Sequence, residues 1–262
     1  MNQEQRLDRL IAMRLAECDE SIAIPASLPE KKRLFRALMN VRPPYPVTDE
    51  FLALQDAYLQ YEKEEGGVVS IADLTPVEPG LYVWRGDITR LAVDAIVNAA
   101  NSALLGCFVP CHGCIDNAIH SKAGVQLRLT CQAIMEKQGR PEPAGQAKLT
   151  PGFNLPARYV LHTVGPIVRG ALSPLDREQL ASCYRQCLAL AERQGLGSVA
   201  FCSISTGEFH FPPDEAADIA IQTVKAYQRE TGTKLEVIFD AFTAEDEARY
   251  RQKLGATQSV AR

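Results

Sequence analysis

Over the first 66 residues the apolar positions fall at helical spacing. Leu7, Leu10, Ile11, Leu15 and Cys18 recur at the period that puts side chains on one face of an α-helix. Ser27-Leu-Pro-Glu30 has the form of a capping box ahead of Leu34, Phe35, Leu38 and Met39, and a third helix is expected from Thr48 to Glu64. After Gly66-Gly67 the pattern changes to short β-branched runs alternating with amphipathic segments. Strands are expected at Leu81–Arg85, Ala95–Asn98, Ala147–Thr150, Tyr159–Thr163, Val199–Ile204 and Leu235–Phe239. Helices are expected at about 114–137, 175–194, 213–230 and 244–254. Such alternation predicts an α/β layered domain with ligand sites at the carboxyl ends of strands. Residues 1–66 then form a helical extension, which buries too little to stand alone and is expected to dock on the larger part.

Composition narrows the class. The 262 residues are 46% hydrophobic and 23% charged, which is globular and excludes disorder. A net charge of −4 excludes a basic nucleic-acid clamp. No apolar run approaches the roughly 20 residues of a membrane helix. The start, Met-Asn-Gln-Glu-Gln-Arg, also lacks the basic-then-apolar order of a secretory signal. A soluble, cytoplasmic protein with neither nucleic acid nor membrane as partner is the expectation. There the eight cysteines stay reduced, and a cluster of them points to metal binding or chemistry.

Such a cluster exists in Gly106-Cys-Phe-Val-Pro-Cys-His-Gly-Cys114, immediately after Asn98-Ala-Ala-Asn101. Cys107, His112 and Cys114 supply soft donors from one loop, and three protein ligands with a fourth position open is the pattern of a catalytic zinc. Two thiolates and a neutral imidazole balance Zn²⁺ and leave an electrophile able to accept a substrate oxygen or water. Cys111-x-x-Cys114 is also a redox spacing, a loop with three Cys can be inert surface, and Cys111 is an ambiguous fourth ligand. Asp116 and Asn117 open the following helix. Asp116 either caps it or, beside a metal, orients water and accepts a proton. His120 reads as structural. Gly86-Asp-Ile-Thr89 follows an apolar strand as an ordinary turn or cap. The Ser-Thr-Gly turn within Ser203–Pro213 has the composition to cradle phosphate oxygens on main-chain N–H groups, or to bind nothing. Phe209 and Phe211 are core residues, or one of them stacks on a sugar.

Together Gly86-Asp-Ile-Thr89, Asn98-Ala-Ala-Asn101, Gly145-Gln-Ala147, Thr150-Pro-Gly-Phe-Asn-Leu-Pro156, His162-Thr-Val-Gly-Pro166 and Ser205-Thr-Gly-Glu-Phe209 resemble the macrodomain family, in its order, over about residues 75–257. Where ordinary macrodomains have a run of glycines, this chain has the Cys/His loop, which resembles the zinc-dependent subclass. The resemblance implies a three-layer α/β/α sandwich with a mixed central sheet, carrying the helical extension at its N-terminus. It implies binding of ADP-ribose and removal of mono-ADP-ribose from proteins. Carried over residue by residue, Asp87 accepts from the adenine amino group with the Ile88 backbone nearby. Ser205, Thr206, Gly207, Glu208 and Phe209 hold the diphosphate and pack on the distal ribose. Asn101 bonds the ribose hydroxyls, Asn98 positions substrate or braces the loop, and Asp116 manages the proton. One Zn²⁺ sits on Cys107, His112 and Cys114. The absence of a basic stripe is no objection, because helix termini and backbone amides can neutralise the phosphates.

The expected reaction is zinc-dependent hydrolysis of mono-ADP-ribose esters on Asp or Glu of a modified protein. A lipoyl-carrier protein is a candidate substrate by the same resemblance. The rivals are a non-catalytic ADP-ribose reader whose zinc only shapes the loop, and a thiol redox protein using Cys111 and Cys114.

Overall fold

The structure, a computed structural model, describes residues 1–19 and 22–255, so residues 256 and 257 of the expected main-domain span lie outside the described residues. Three helices come first: α1 (Gln3–Glu17), α2 (Leu28–Val41) and α3 (Asp49–Gly66). A capping box starts α1, with Asn2 accepting from the Gln5 N–H and Gln5 accepting from the Asn2 N–H. Helix α2 starts where Ser27 predicts, but without the expected backbone cap. Pro29 brings no N–H to the first turn, and the Ser27 hydroxyl donates to the Glu30 carboxylate. Leu7, Leu10, Ile11 and Leu15 bury against Phe35, Leu38, Phe51, Tyr58 and Leu59, and this small core also includes Val125 of the main body. Cys18 is exposed, because it lies beyond the last turn of α1.

The main body is a six-stranded sheet between two helical layers. Its strands are β2 (Leu81–Arg85), β4 (Ala95–Ala99), β5 (Ala147–Pro151), β6 (Tyr159–Thr163), β7 (Ser198–Phe201) and β8 (Glu236–Ala241), in the order β2-β8-β7-β4-β6-β5. All neighbours are parallel except β5, which runs antiparallel to β6, so the sheet is mixed. A separate pair, β1 (Val69–Ser70) with β3 (Leu91–Ala92), is too short for periodicity to reveal. The central strands are apolar almost throughout, as burial on both faces requires. Helices α6 (Pro174–Arg193), α7 (Pro213–Thr231) and α8 (Ala244–Lys253) cover one face, where Tyr184 packs on Phe201 and Tyr250 stacks on Phe239. Helices α4 (Ile115–Ala123) and α5 (Val125–Gln138) cover the other, with the N-terminal bundle outside them. Among the described residues no helix is long and apolar enough to cross a membrane.

Several expected boundaries move, among them that of β8, expected at Leu235–Phe239 and found at Glu236–Ala241. The helix expected over 114–137 is two helices hinged at Gly124, whose φ of +95° lies in the region that favours glycine. The strand expected over Val199–Ile204 ends at Phe201, since the backbone must leave the sheet to form the Ser205 turn. At the hinge, Gln55 of α3 accepts the first N–H of α5, from Val125, at 2.9 Å and donates to Gln126 at 2.8 Å. A Cβ on Gly124 would lie 2.6 Å from Gln55 Nε2. Gly124→Ala should therefore cost about 1–3 kcal/mol through both strain and clash. Thermal unfolding reads this directly, and an unchanged midpoint would contradict the hinge.

Candidate active site at the carboxyl ends of β4 and β7

The loop from Ala100 to Cys114 leaves the end of β4 and returns at the start of α4. Cys114 is the N-cap of α4, its Sγ accepting the Asn117 N–H at 3.4 Å. Capping is thus done by the thiol and Asp116 turns inward. Cys107 Sγ lies 3.6 Å from His112 Nδ1, and with Cys114 Sγ the three donor atoms fall within 4.8 Å of one another. Zinc bonds of about 2.3 Å to sulfur and about 2.05 Å to nitrogen, at a tetrahedral angle, separate the two ligands by about 3.6 Å. The donor set and its spacing therefore fit Zn²⁺. Burial, with Cys107 as a nearby like charge, pushes the Cys114 thiol up to about 11, a repulsion that a bound dication would reverse. Cys111 is not in the trio: its thiol donates to the Arg33 carbonyl of α2 at 3.4 Å.

Beneath the loop lies a buried polar floor. Asn98, fully buried on β4, donates to Asp116 Oδ1 at 2.8 Å and faces His162 Nδ1 at 3.2 Å. That network assigns the His162 Nε2–H to Thr150 Oγ1, 2.9 Å away. Burial holds His162 neutral, down to about 4, and lowers His120 well below the usual imidazole range. Asn101 donates to Asp116 Oδ2 at 3.3 Å and to the Gly106 carbonyl at 3.1 Å. Both Asp116 oxygens thus meet amides, and burial pushes this carboxyl up to about 6. Of the two alternatives for Asn98, these contacts are those of a brace. His120, Cys131 and His162 form a second, wholly buried group of donor atoms, but His162 is already engaged at both ring nitrogens.

The turn after β7 faces the loop. Ser205 has φ +65°, and among the described residues no acceptor takes the main-chain N–H groups of Gly207, Glu208 and Phe209. Free amides on a tight turn make a concave anion site. Thr206 Oγ1 donates back to the Ser203 carbonyl at 3.0 Å, and Phe209 is half-buried against the core. Phe211 is core, which leaves Phe209 as the one of the two able to stack on a sugar. The Glu208 side chain reaches His112 Nε2 at 3.4 Å. A carboxylate hydrogen-bonded at Nε2 would favour the tautomer that leaves Nδ1 a lone pair toward the thiols.

At the far end of the sheet, Asp87 caps a single 3-10 turn, its Oδ1 accepting the Thr89 N–H at 3.0 Å and hydroxyl at 2.6 Å, with Ile88 buried behind it. Two neighbours are missed by sequence reading. Phe242, directly after β8, is 80% exposed beside Gly86-Asp87, because Gly86 N–H bonds the Ala241 carbonyl. An aromatic at a strand's carboxyl end was the available signal. Asp240 is buried on β8 with Oδ1 unpartnered, and burial, with Asp87 nearby, raises its carboxyl well above the usual range.

The family model described as Macro domain matches residues 97–220. A protein named Protein-ADP-ribose hydrolase from Treponema medium is 50% identical over 258 residues, covering 96% of this chain and 99% of that protein. The solved Oceanobacillus iheyensis macrodomain with ADP is 38% identical with a TM-score of 0.62, covering 70% of this chain and 94% of that one. A Trypanosoma brucei macrodomain in complex with ADP-ribose is 31% identical with a TM-score of 0.65, covering 84% and 95%.

The buried Asp240 has a measurable consequence. The folded chain holds this proton more tightly than the unfolded chain, so stability present below the unfolded pKa is lost as pH rises through the folded value. Asn has no such proton. Asp240→Asn should gain on the parent protein as pH rises from about 5 to about 8, by roughly 2–4 °C in midpoint per kcal/mol. A midpoint difference that stays flat with pH would contradict it.

Proposed function

The chain belongs to the Macro domain family, and on that premise we propose that it is a hydrolase releasing mono-ADP-ribose from modified protein side chains, with one zinc ion as cofactor. The observation that carries the zinc reading is the convergence of Cys107, His112 and Cys114 to within 4.8 Å of one another, with Cys107 and His112 at the 3.6 Å that tetrahedral zinc requires. The relatives' name and ADP-ribose complex support the substrate.

In this reading the free carboxylate edge of Asp87 accepts from the adenine amino group, with the Ile88 backbone beside it and Phe242 against the base. The N–H groups of Gly207, Glu208 and Phe209, together with Ser205 and Thr206, surround the diphosphate. This explains how a chain of net charge −4 holds an anionic dinucleotide without a basic stripe. Phe209 packs on the distal ribose and Asn101 meets its hydroxyls. Asp116 manages the proton and aligns Asn101, and Asn98 fixes Asp116. Glu208 orients the His112 ring. Zinc on Cys107, His112 and Cys114 supplies Lewis acidity to the scissile group or to water. The reaction adds water across the bond between the distal ribose and an Asp or Glu carboxylate. Free ADP-ribose and the restored acid are the products. A lipoyl-carrier protein remains the proposed class of modified target.

The test is ADP-ribose release from an acidic-residue-modified protein by the zinc-loaded enzyme, by the same enzyme after chelation, and after zinc is restored. Activity should vanish and return, and Cys107→Ala should lose zinc and about 10²-fold or more in rate. Full hydrolysis by a zinc-free Cys107→Ala protein would contradict the mechanism. Saturable ADP-ribose binding with no release at full metal occupancy would favour the reader instead.

A further inference from the structure

We infer that helix α2 of the N-terminal extension is a wall of the active site, and that its Arg36 and Asn40 are positioning residues holding the Cys107–Cys114 loop in its ligand-converging shape. The inference rests on the zinc reading above.

The loop cannot hold this shape by itself. Among the described residues, the one main-chain hydrogen bond formed by residues 107–113 is His112 N–H to the Val109 carbonyl at 3.2 Å. Cys111 also has φ +52°, a left-handed conformation that a non-glycine residue adopts at a cost of about 1–2 kcal/mol. Something outside the loop must offset both deficits. Asn40, buried on α2, accepts the Cys111 N–H at 2.8 Å and donates to Ser121 of α4 at 3.0 Å. It thereby ties the strained residue to the helix on the loop's far side. Arg36 donates to the His112 carbonyl at 3.0 Å. The same guanidinium forks onto Asn117 Oδ1 at 2.7 and 3.1 Å. Asn117, fully buried, sends Nδ2 to the Val109 carbonyl at 3.0 Å, while its N–H meets Cys114 Sγ. The Cys111 thiol completes the seam on the Arg33 carbonyl.

The anchor points are thus Val109, Cys111, His112 and Cys114, each bonded to α2 directly or through Asn117. The ligand His112 and the ligand Cys114 are both fixed by this route. A second basic residue closes the seam from the main body: Arg128 of α5 donates to the Leu105 carbonyl at 2.7 Å and to the Met39 carbonyl at 3.0 Å. It also bonds the Arg42 carbonyl and lies 4.4 Å from the Phe108 ring centre. Among the described residues, no hydrogen bond of Arg36 or Asn40 goes to Asp87 or the 205–209 turn. Losing either residue should therefore loosen the metal loop and leave the nucleotide end of the cleft alone. Groups that orient metal ligands typically account for about 10- to 100-fold in metal affinity.

The test measures zinc affinity of the full chain by chelator competition, the visible spectrum of the Co²⁺-substituted protein, and ADP-ribose affinity. Asn40→Ala should weaken zinc about 10- to 100-fold and alter the Co²⁺ spectrum, with ADP-ribose affinity held within about twofold. Asn40→Asp, which keeps the acceptor for the Cys111 N–H, should restore most of the zinc affinity. If Asn40→Ala fails to fold, Arg36→Gln, at a partly exposed position, is read the same way. Zinc affinity and Co²⁺ spectrum unchanged from the parent in the folded variants would overturn the inference while leaving the zinc reading intact. A parent protein that takes up no zinc would overturn both.

Discussion

One buried hydrogen bond, from Asn98 to Asp116 at 2.8 Å, joins the end of β4 to the first turn of α4 and so fixes both ends of the loop between them. The proposed metal ligands are strung on that loop. The strand end sets where Asn101 sits, and the helix start sets where Cys114 and Asn117 sit. Because Asp116 is desolvated, both its oxygens need partners, and the two asparagines supply them. Removing either leaves a buried carboxyl short of a donor.

The electrostatic design follows from the same economy of charge. Arg36 and Arg128 turn their guanidinium groups onto the His112 and Leu105 carbonyls of the loop, the Asn117 side chain of α4 and the Met39 carbonyl of α2, and act as struts. In the proposed function, anion binding falls to the N–H groups of Gly207, Glu208 and Phe209, and cation binding to the thiols of Cys107 and Cys114 and the imidazole of His112. Glu208 of the 205–209 turn comes within 3.4 Å of His112 on the Cys/His loop through an exposed side chain.

Much of this was legible in the chain itself. Short β-branched runs located the six main strands, most clearly the central parallel ones, which must be apolar on both faces. The spacing of Cys107, His112 and Cys114 announced converging donors. What periodicity could not show were features decided by single residues or by distant partners. Gly124 breaks a helix whose hydrophobic pattern runs straight through it. Ser27 looks like a cap until Glu30 takes its hydroxyl. Arg36 meets Asn117 across 81 positions of sequence, and polar contacts at that separation leave no local trace. Phe242 and Asp240 were hidden because the strand expected at Leu235–Phe239 stopped short of them.

The most direct measurement is anomalous diffraction at the zinc edge from crystals grown with ADP-ribose. The account predicts one zinc peak bonded to Cys107, His112 and Cys114, with the distal ribose beside it and the diphosphate on the amides of Gly207, Glu208 and Phe209. ADP-ribose bound with its distal ribose away from that loop, or a zinc peak on other residues, would contradict it.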